Sequence, residues 1–348
     1  MSKYEDIHFV DAAQPVWNYS LFTDEDIRNF QNGTHYSLYT LFGNKQIEVL
    51  NTKGTYFSVW APNATAVFVT GNFNDWNKVS HPLKVRLDSS GIWEGFIPHC
   101  KRGEVYKYSI HGFEGKIMQK GDPYAHFWEK KPLTASISWN FEYEWKDKTW
   151  MESREKHNSL QSPYVVYEVH LASWMRPDPF DEESYFSYWQ IAQRLVPYVK
   201  QMGFTHVELM PVMEFSGNDS WGYNPIFYMA PDKAYGTKND LKYLIDKCHE
   251  NGIAVIMDIV LNQADFENPY VKMYWDGAKP AANSPFFNPT ATHPFSVFYD
   301  FNHESVHTQW LVDLVTKFWI DEYKIDGYRY DLSKGFTQTQ SGSNVGQW

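Results

Sequence analysis

KIDGYRYDLSKGFT, residues 324–337, reads as a short strand that carries a charged pair. A two-residue period places Gly327, Arg329 and Asp331 on one face and Tyr328 and Tyr330 on the other. A guanidinium beside a carboxylate favours the ionised form, which suits a nucleophile and would defeat a general acid. A structural ion pair explains the same two residues equally well, so the surrounding pattern has to decide between them.

Outward from this stretch, the chain from Pro163 onward alternates strand and helix: VVYEVHLASW, a helix near 189–202, HVELMPV, a helix near 238–251, AVIMDIVLN, a helix near 305–323, and IDGYRYDL. Repeated βα units imply a parallel sheet, and the long segments after the strands match a (β/α)8 TIM barrel, whose active site lies at the carboxyl ends of its strands. In the last helix Val306, Trp310, Leu314 and Phe318 recur every four residues as an apolar stripe. Pro197 is expected to kink or restart the first helix. In MDIVLNQ, Asp258 and Asn262 share a face near the end of the third strand. Glu168 and His170 read as a satisfied polar layer inside the sheet, and His206 as structural.

Upstream, from Gly54 to about Trp139, the pattern is different. Short alternating strands, TYFSVWAP, AVFVTGNF, GIWEGFIP and VYKYSIHG, are separated by turn-rich pieces, as in a small immunoglobulin-like β-sandwich. Before them TDEDIRNFQNG reads as a helix capped by Thr23 and stopped by Gly33. The expected organisation is a multi-domain chain: an extension over 1–50, a sandwich over 51–140, a charged connector over 141–162, and the first four strands of a barrel over 163–348.

The 348 residues carry a net charge of −11, which disfavours nucleic acid and anionic membranes because both bind through clustered Lys and Arg. No apolar run approaches the length of a membrane span. The start, MSKYEDIHFV, lacks the pattern of a secretory signal, so the chain as given reads as cytoplasmic, with a secreted or periplasmic parent still open. Cys100 and Cys248 read as reduced, buried thiols.

Three short motifs taken together are specific: Asp258 to Asn262 in DIVLN, Gly327-x-Arg329-x-Asp331, and SWGYNP at 220–225. With them the chain resembles the α-amylase superfamily of glycoside hydrolases and glucan transferases. Residues 54–139, with WAPNA, GNFNDW and DPYA, look like the glycogen-binding type of sandwich that precedes the barrel in branching enzymes. The resemblance implies a retaining reaction at α-1,4 glucosidic bonds. It makes Asp331 the nucleophile and Arg329 its charge partner. Tyr223 becomes the platform under the sugar before the cut, Lys334 a contact to the sugar after it, and Asp258 a support from strand three. Asn262 occupies a position that helps bind calcium in many amylases, so calcium is admitted and no other cofactor is required. Gln263 stands where the family usually has His and could hydrogen-bond a sugar hydroxyl. In the sandwich, Trp76 and Lys107 match glucan-holding positions, whereas a second expected tryptophan is replaced near Glu114 and Phe113.

The family's general acid and its late His-Asp pair have no match within these residues, and four strands fill half a barrel. About 200 further residues would complete one, so the chain is expected to be an inactive fragment of a longer enzyme. For that parent the leading reading is an α-amylase-type hydrolase of starch or glycogen, on DIVLNQ, YDFNHES and KIDGYRYDLSKGFT. The alternative is a 1,4-α-glucan branching enzyme, on LVPYVKQMGFTHVELMPVMEF and the sandwich. A glucan-binding module without activity is the third. In each case the expected ligand is an α-glucan or maltooligosaccharide, with no nucleic acid and no membrane partner.

Overall fold

A computed structural model of the chain describes residues 11, 13–112, 115–129, 133–140, 142–157, 161–216, 220–293 and 296–336. It divides into two units, 1–141 and 142–348.

In the first unit, α1 (Asp24–Gln31) starts at Thr23, whose hydroxyl accepts the Asp26 N–H while the Asp26 carboxylate accepts the Thr23 N–H. That reciprocal bond pair fixes the helix start. The sandwich contains β1 (Gly43–Val49), β2 (Thr52–Trp60), β3 (Ala66–Gly71), β4 (Lys84–Val85), β5 (Ile92–Pro98), β6 (Val105–His111), β7 (Ile117–Lys120) and β8 (Ser136–Ile137). One sheet runs β1-β2-β5-β4, and the other runs β3-β6-β7 with β8 also pairing β6. Phe57, Val59, Val67, Val69, Trp93, Tyr106 and Tyr108 fill the space between them.

Strand β1 falls inside the stretch assigned from sequence to an extension, yet it pairs along its whole length with β2. Leu50 and Asn51 make the two-residue turn between them, both with positive φ (48° and 60°). A tight hairpin of this kind matches the twist of its strands. The polar letters of GNKQIEV obscured the strand, because only its ends are buried.

A buried carboxylate ties this unit together. Asp122 Oδ2 accepts the hydroxyls of Tyr106 (2.5 Å) and Tyr108 (3.2 Å), and its Oδ1 accepts the Tyr124 N–H at 2.8 Å. Burial pushes its pKa up to about 6, against the pull of those hydrogen bonds.

The second unit runs α2 (Lys148–His157), β9 (Val166–Val169), α3 (Leu171–Trp174), α4 (Tyr188–Met202), β10 (His206–Leu209), β11 (Met213–Phe215), β12 (Pro225–Pro231), α5 (Lys238–Glu250), β13 (Ala254–Ile259), β14 (Gln263–Ala264), α6 (Pro269–Met273), β15 (Tyr299–Asp300), α7 (Val306–Tyr323) and β16 (Gly327–Tyr330). Strands β9, β10, β13 and β16 are parallel, and each lies beside the strand before it in the chain. Adding each new strand to the same edge is the winding of a barrel rather than of a doubly wound sheet.

Several sequence expectations are corrected here. Val306 is exposed and Trp310 half-buried; the buried side of α7 is Thr308, Leu311, Leu314, Val315, Phe318 and Trp319. A four-residue step drifts around a helix of 3.6 residues per turn, so only the later members of the proposed stripe stay on the core side. Helix α4 continues through Pro197, with Ser187 and Gln190 capping its start. Pro197 and Gln193 are both exposed, so the proline, which has no N–H to give the Gln193 carbonyl, falls on the outer side of the helix. Glu168 is exposed rather than part of a buried layer. It pairs in register with Glu208, and burial together with the charges of Glu168 and Asp258 raises the Glu208 pKa. His170 lies beyond the strand, at the start of α3, where its Nδ1 is 2.8 Å from Ser173 Oγ. His206 is buried, stacks on Tyr164 and bonds Thr205.

Cys100 and Cys248 are buried free thiols, and burial raises the pKa of both. Among the described residues no helix is long and apolar enough to cross a membrane.

Candidate active site

The parallel ladder sets the site. Asp258 and Arg329 are direct partners across β13 and β16. Arg329 Nη1 donates to Asp258 Oδ1 (3.0 Å), to Asp258 Oδ2 (3.1 Å) and to Asp331 Oδ1 (2.7 Å). One guanidinium nitrogen therefore holds two carboxylates together at the carboxyl end of the strands. Asp331 follows β16 directly, and its N–H donates to the Ile259 carbonyl at 3.1 Å, which fixes its backbone to the neighbouring strand. Burial works against the charge on Arg329, but the bonds to Asp331 and Asp258 outweigh it and raise its pKa.

Asp258 is 1% exposed. Burial raises its pKa, while Tyr223 and Arg329 pull it back. The Tyr223 hydroxyl donates to Asp258 Oδ2 at 2.8 Å, so the tyrosine of SWGYNP reaches the same carboxylate as the arginine. The turn that delivers it is tight: Trp221 and Gly222 both have positive φ (52° and 94°), and the Tyr223 N–H closes on the Ser220 carbonyl at 2.9 Å. A side chain at Gly222 would come within 2.6 Å of the Pro211 carbonyl oxygen, so glycine is required there.

The remaining expected residues lie around this centre. Lys334 sits in the short 3-10 turn Ser333–Phe336, three residues after Asp331. Gln263 is 2% exposed. Its Nε2 donates to the Tyr223 carbonyl (2.6 Å) and its Oε1 accepts from Asn262 Nδ2 (2.9 Å). The structure therefore turns Gln263 toward protein groups, where sequence reasoning had it facing a sugar. Two contributors were missed altogether: Asn224 donates to Asp265 Oδ2 at 2.9 Å, and the Asp265 N–H donates to the Pro225 carbonyl at 3.1 Å. Asn224 stands inside the quoted SWGYNP motif, but nothing in the sequence names its partner.

Asn262 is buried with Oδ1 unpartnered, which is the one feature that suits calcium. Calcium takes six to eight oxygens. Among the described residues no three His, Cys, Asp or Glu side chains converge as ligands.

In the sandwich, Trp76 is 36% exposed at the turn after β3, with φ 58° and its indole N–H donating to Asn72 Oδ1 at 3.0 Å. Lys107 lies on β6 opposite Thr70, and its ammonium donates to Thr134 Oγ1 at 2.9 Å. Phe113 and Glu114 lie outside the described residues.

A sandwich, a parallel sheet wound in barrel order and an arginine joining two aspartates at its carboxyl end form the layout of a barrel enzyme's catalytic face, preceded by an accessory module. Residues 41–125 match the family model of carbohydrate-binding module 48 (isoamylase N-terminal domain), and residues 189–295 match that of the alpha amylase catalytic domain. The chain belongs to the α-amylase superfamily. It is 40% identical over 321 residues to the 1,4-alpha-glucan branching enzyme GlgB of Aquifex aeolicus, an alignment covering 90% of this chain and 49% of that protein. To the enzyme of the same name from Halothermothrix orenii it is 39% identical over 328 residues, covering 94% and 51%. A putative alpha amylase from Salmonella typhimurium shares the fold, with a TM-score of 0.65 and 24% identity over 86% of this chain and 45% of that one. The chain spans about half the length of the curated relatives it matches. Those relatives carry the name of the transferase, so the branching alternative is favoured over the hydrolase that led from sequence.

Proposed function

We propose that the protein is an α-glucan branching transferase, cutting an α-1,4 bond and passing the released segment to a hydroxyl of a second glucan. The observation that supports this most is identity of 34–40% to named branching enzymes over 90–95% of the chain.

In this reading a carboxylate oxygen of Asp331 attacks the anomeric carbon, the bond to the leaving glucan oxygen breaks, and that oxygen departs with a proton from a general acid. The acceptor hydroxyl then attacks the same carbon, returns its proton to the acid, and frees Asp331 as a carboxylate. Arg329 aims Asp331 through the bond from its Nη1 to Oδ1. Asp258 is a second carboxyl beside Arg329, yet its oxygens accept hydrogen bonds from both Arg329 and Tyr223, the arrangement of a group that orients its neighbours. It is a holder, and no described residue is assigned the general acid. Tyr223 supplies the platform before the cut and Lys334 a contact after it. No step runs through calcium. In the sandwich, Trp76 and Lys107 retain glucan near the enzyme, as an exposed indole and an ammonium can.

The test is to incubate the complete gene product with amylose and count branch points by proton NMR alongside reducing ends. Branching creates new 1,6 signals at constant reducing ends. A rise in reducing ends without new branch points would make the protein a hydrolase and overturn the reading.

A further inference from the structure

We infer that Gln263 is a positioning residue: it sets the Tyr223 turn and leaves the ligand to other groups. This rests on the reading of Tyr223 as the sugar platform. A backbone carbonyl only accepts, so the amide nitrogen of Gln263 must face Tyr223 O; the amide oxygen then faces Asn262 Nδ2, and both bonds are made at once in one orientation. A side chain that is 2% exposed and engaged at both ends has no reach toward a sugar.

The neighbouring bonds show what it belongs to. Residues 263–265 run beside 223–225, and each residue of the turn is tied once to that segment: Tyr223 by the Gln263 side chain, Asn224 by Asp265 Oδ2, and Pro225 by the Asp265 N–H. Tyr228 closes the set by donating its hydroxyl to the Gln263 carbonyl at 2.7 Å. Tyr223 is thus held at its N–H by Ser220, at its carbonyl by Gln263 and at its hydroxyl by Asp258. Trp221, a non-glycine residue at φ 52°, adds local strain that the surrounding bonds must hold in place.

These three bonds fix the Tyr223 backbone and the direction in which its side chain extends, so the platform's place is set before any glucan arrives and its ordering cost is met in advance. An amide also does this independently of pH. A protonated imidazole in the same place would turn a second donor toward the Asn262 amide.

The test uses Gln263→Met, which keeps length but removes both polar atoms, and Gln263→Glu, which keeps shape but cannot donate to Tyr223 O. Gln263→Asn, one methylene shorter, serves if either fails to fold. In hydrogen exchange on the 348-residue chain, amides of 220–224 should exchange at least tenfold faster in the variants, while those of β13 and β16 keep their rates. In the complete gene product, Gln263→Met should raise KM for maltodextrin with kcat little changed, and should add nothing to Tyr223→Ala. Unchanged exchange at 220–224, or additivity with Tyr223→Ala, would overturn the inference. Faster exchange at unchanged KM would uphold Gln263 as the holder of the turn and overturn only the platform reading.

Discussion

Arg329 holds Asp258 across the join of β13 and β16: the two are ladder partners, and Nη1 lies 3.0 and 3.1 Å from the two carboxylate oxygens. Because Asp258 is buried and Arg329 is 44% exposed, the pair reaches from the sheet interior to the open end where Asp331 stands. Removing the arginine takes the opposite charge from a buried carboxylate and leaves it the Tyr223 hydroxyl as a donor.

Arg329→Ala should therefore lower the stability of the barrel unit by about 1–3 kcal/mol, the usual range for losing hydrogen bonds to a charged group. Arg329→Lys should recover part of that stability, because an ammonium supplies charge, but not activity, because its flexible stem does not hold a donor at the one position from which Nη1 reaches both Asp258 and Asp331. Urea melts of the three proteins beside branching assays give the comparison. Equal activity of Arg329→Lys and the parent would contradict the role.

Trp76→Ala should weaken binding of a long maltodextrin and change the melting temperature little. The ring is partly open to solvent and spends its one polar atom on Asn72, four residues away, so little packing is lost. Loss on the scale of a core aromatic, about 3–5 kcal/mol, with unchanged affinity would remove the binding role. Calorimetry and a thermal scan on one preparation read both quantities.

Asp122 should make the sandwich less stable as pH rises from about 4 to about 6. Its folded pKa, about 6, lies above the ordinary carboxyl value of 3.8, so the folded state holds the proton more tightly than the unfolded chain. The stability this gives is complete below the unfolded value and is lost as pH climbs through the folded one. A two-unit shift corresponds to about 3 kcal/mol. Asp122→Asn should flatten this slope in denaturant melts taken across that range, and an unchanged slope would show that other carboxyls cause it.

How far the site could be read in advance depends on whether each residue speaks through local spacing. The placement of Arg329 and Asp331 follows from a two-residue period, and the start of α1 from Thr23, both visible within a few letters. Gln263 and Asn224 act on partners about 40 residues away, and nothing in either short stretch indicates which way an amide turns. The hairpin β11–β12 was missed for another reason: all seven residues of β12 are buried, so Pro225–Pro231 shows no alternation to mark it as a strand. In α7 a strict four-residue count displaced the true buried side by a few residues at the start of the helix.

The role of Asp331 is open to the most direct measurement. The complete gene product is treated with a 5-fluoro α-glucosyl or maltosyl fluoride, which slows turnover of a glycosyl-enzyme ester, and its peptides are mapped by mass spectrometry. The account predicts one sugar adduct on the peptide containing Asp331, absent in Asp331→Asn. An adduct on a different carboxylate, or the same adduct in Asp331→Asn, would contradict it.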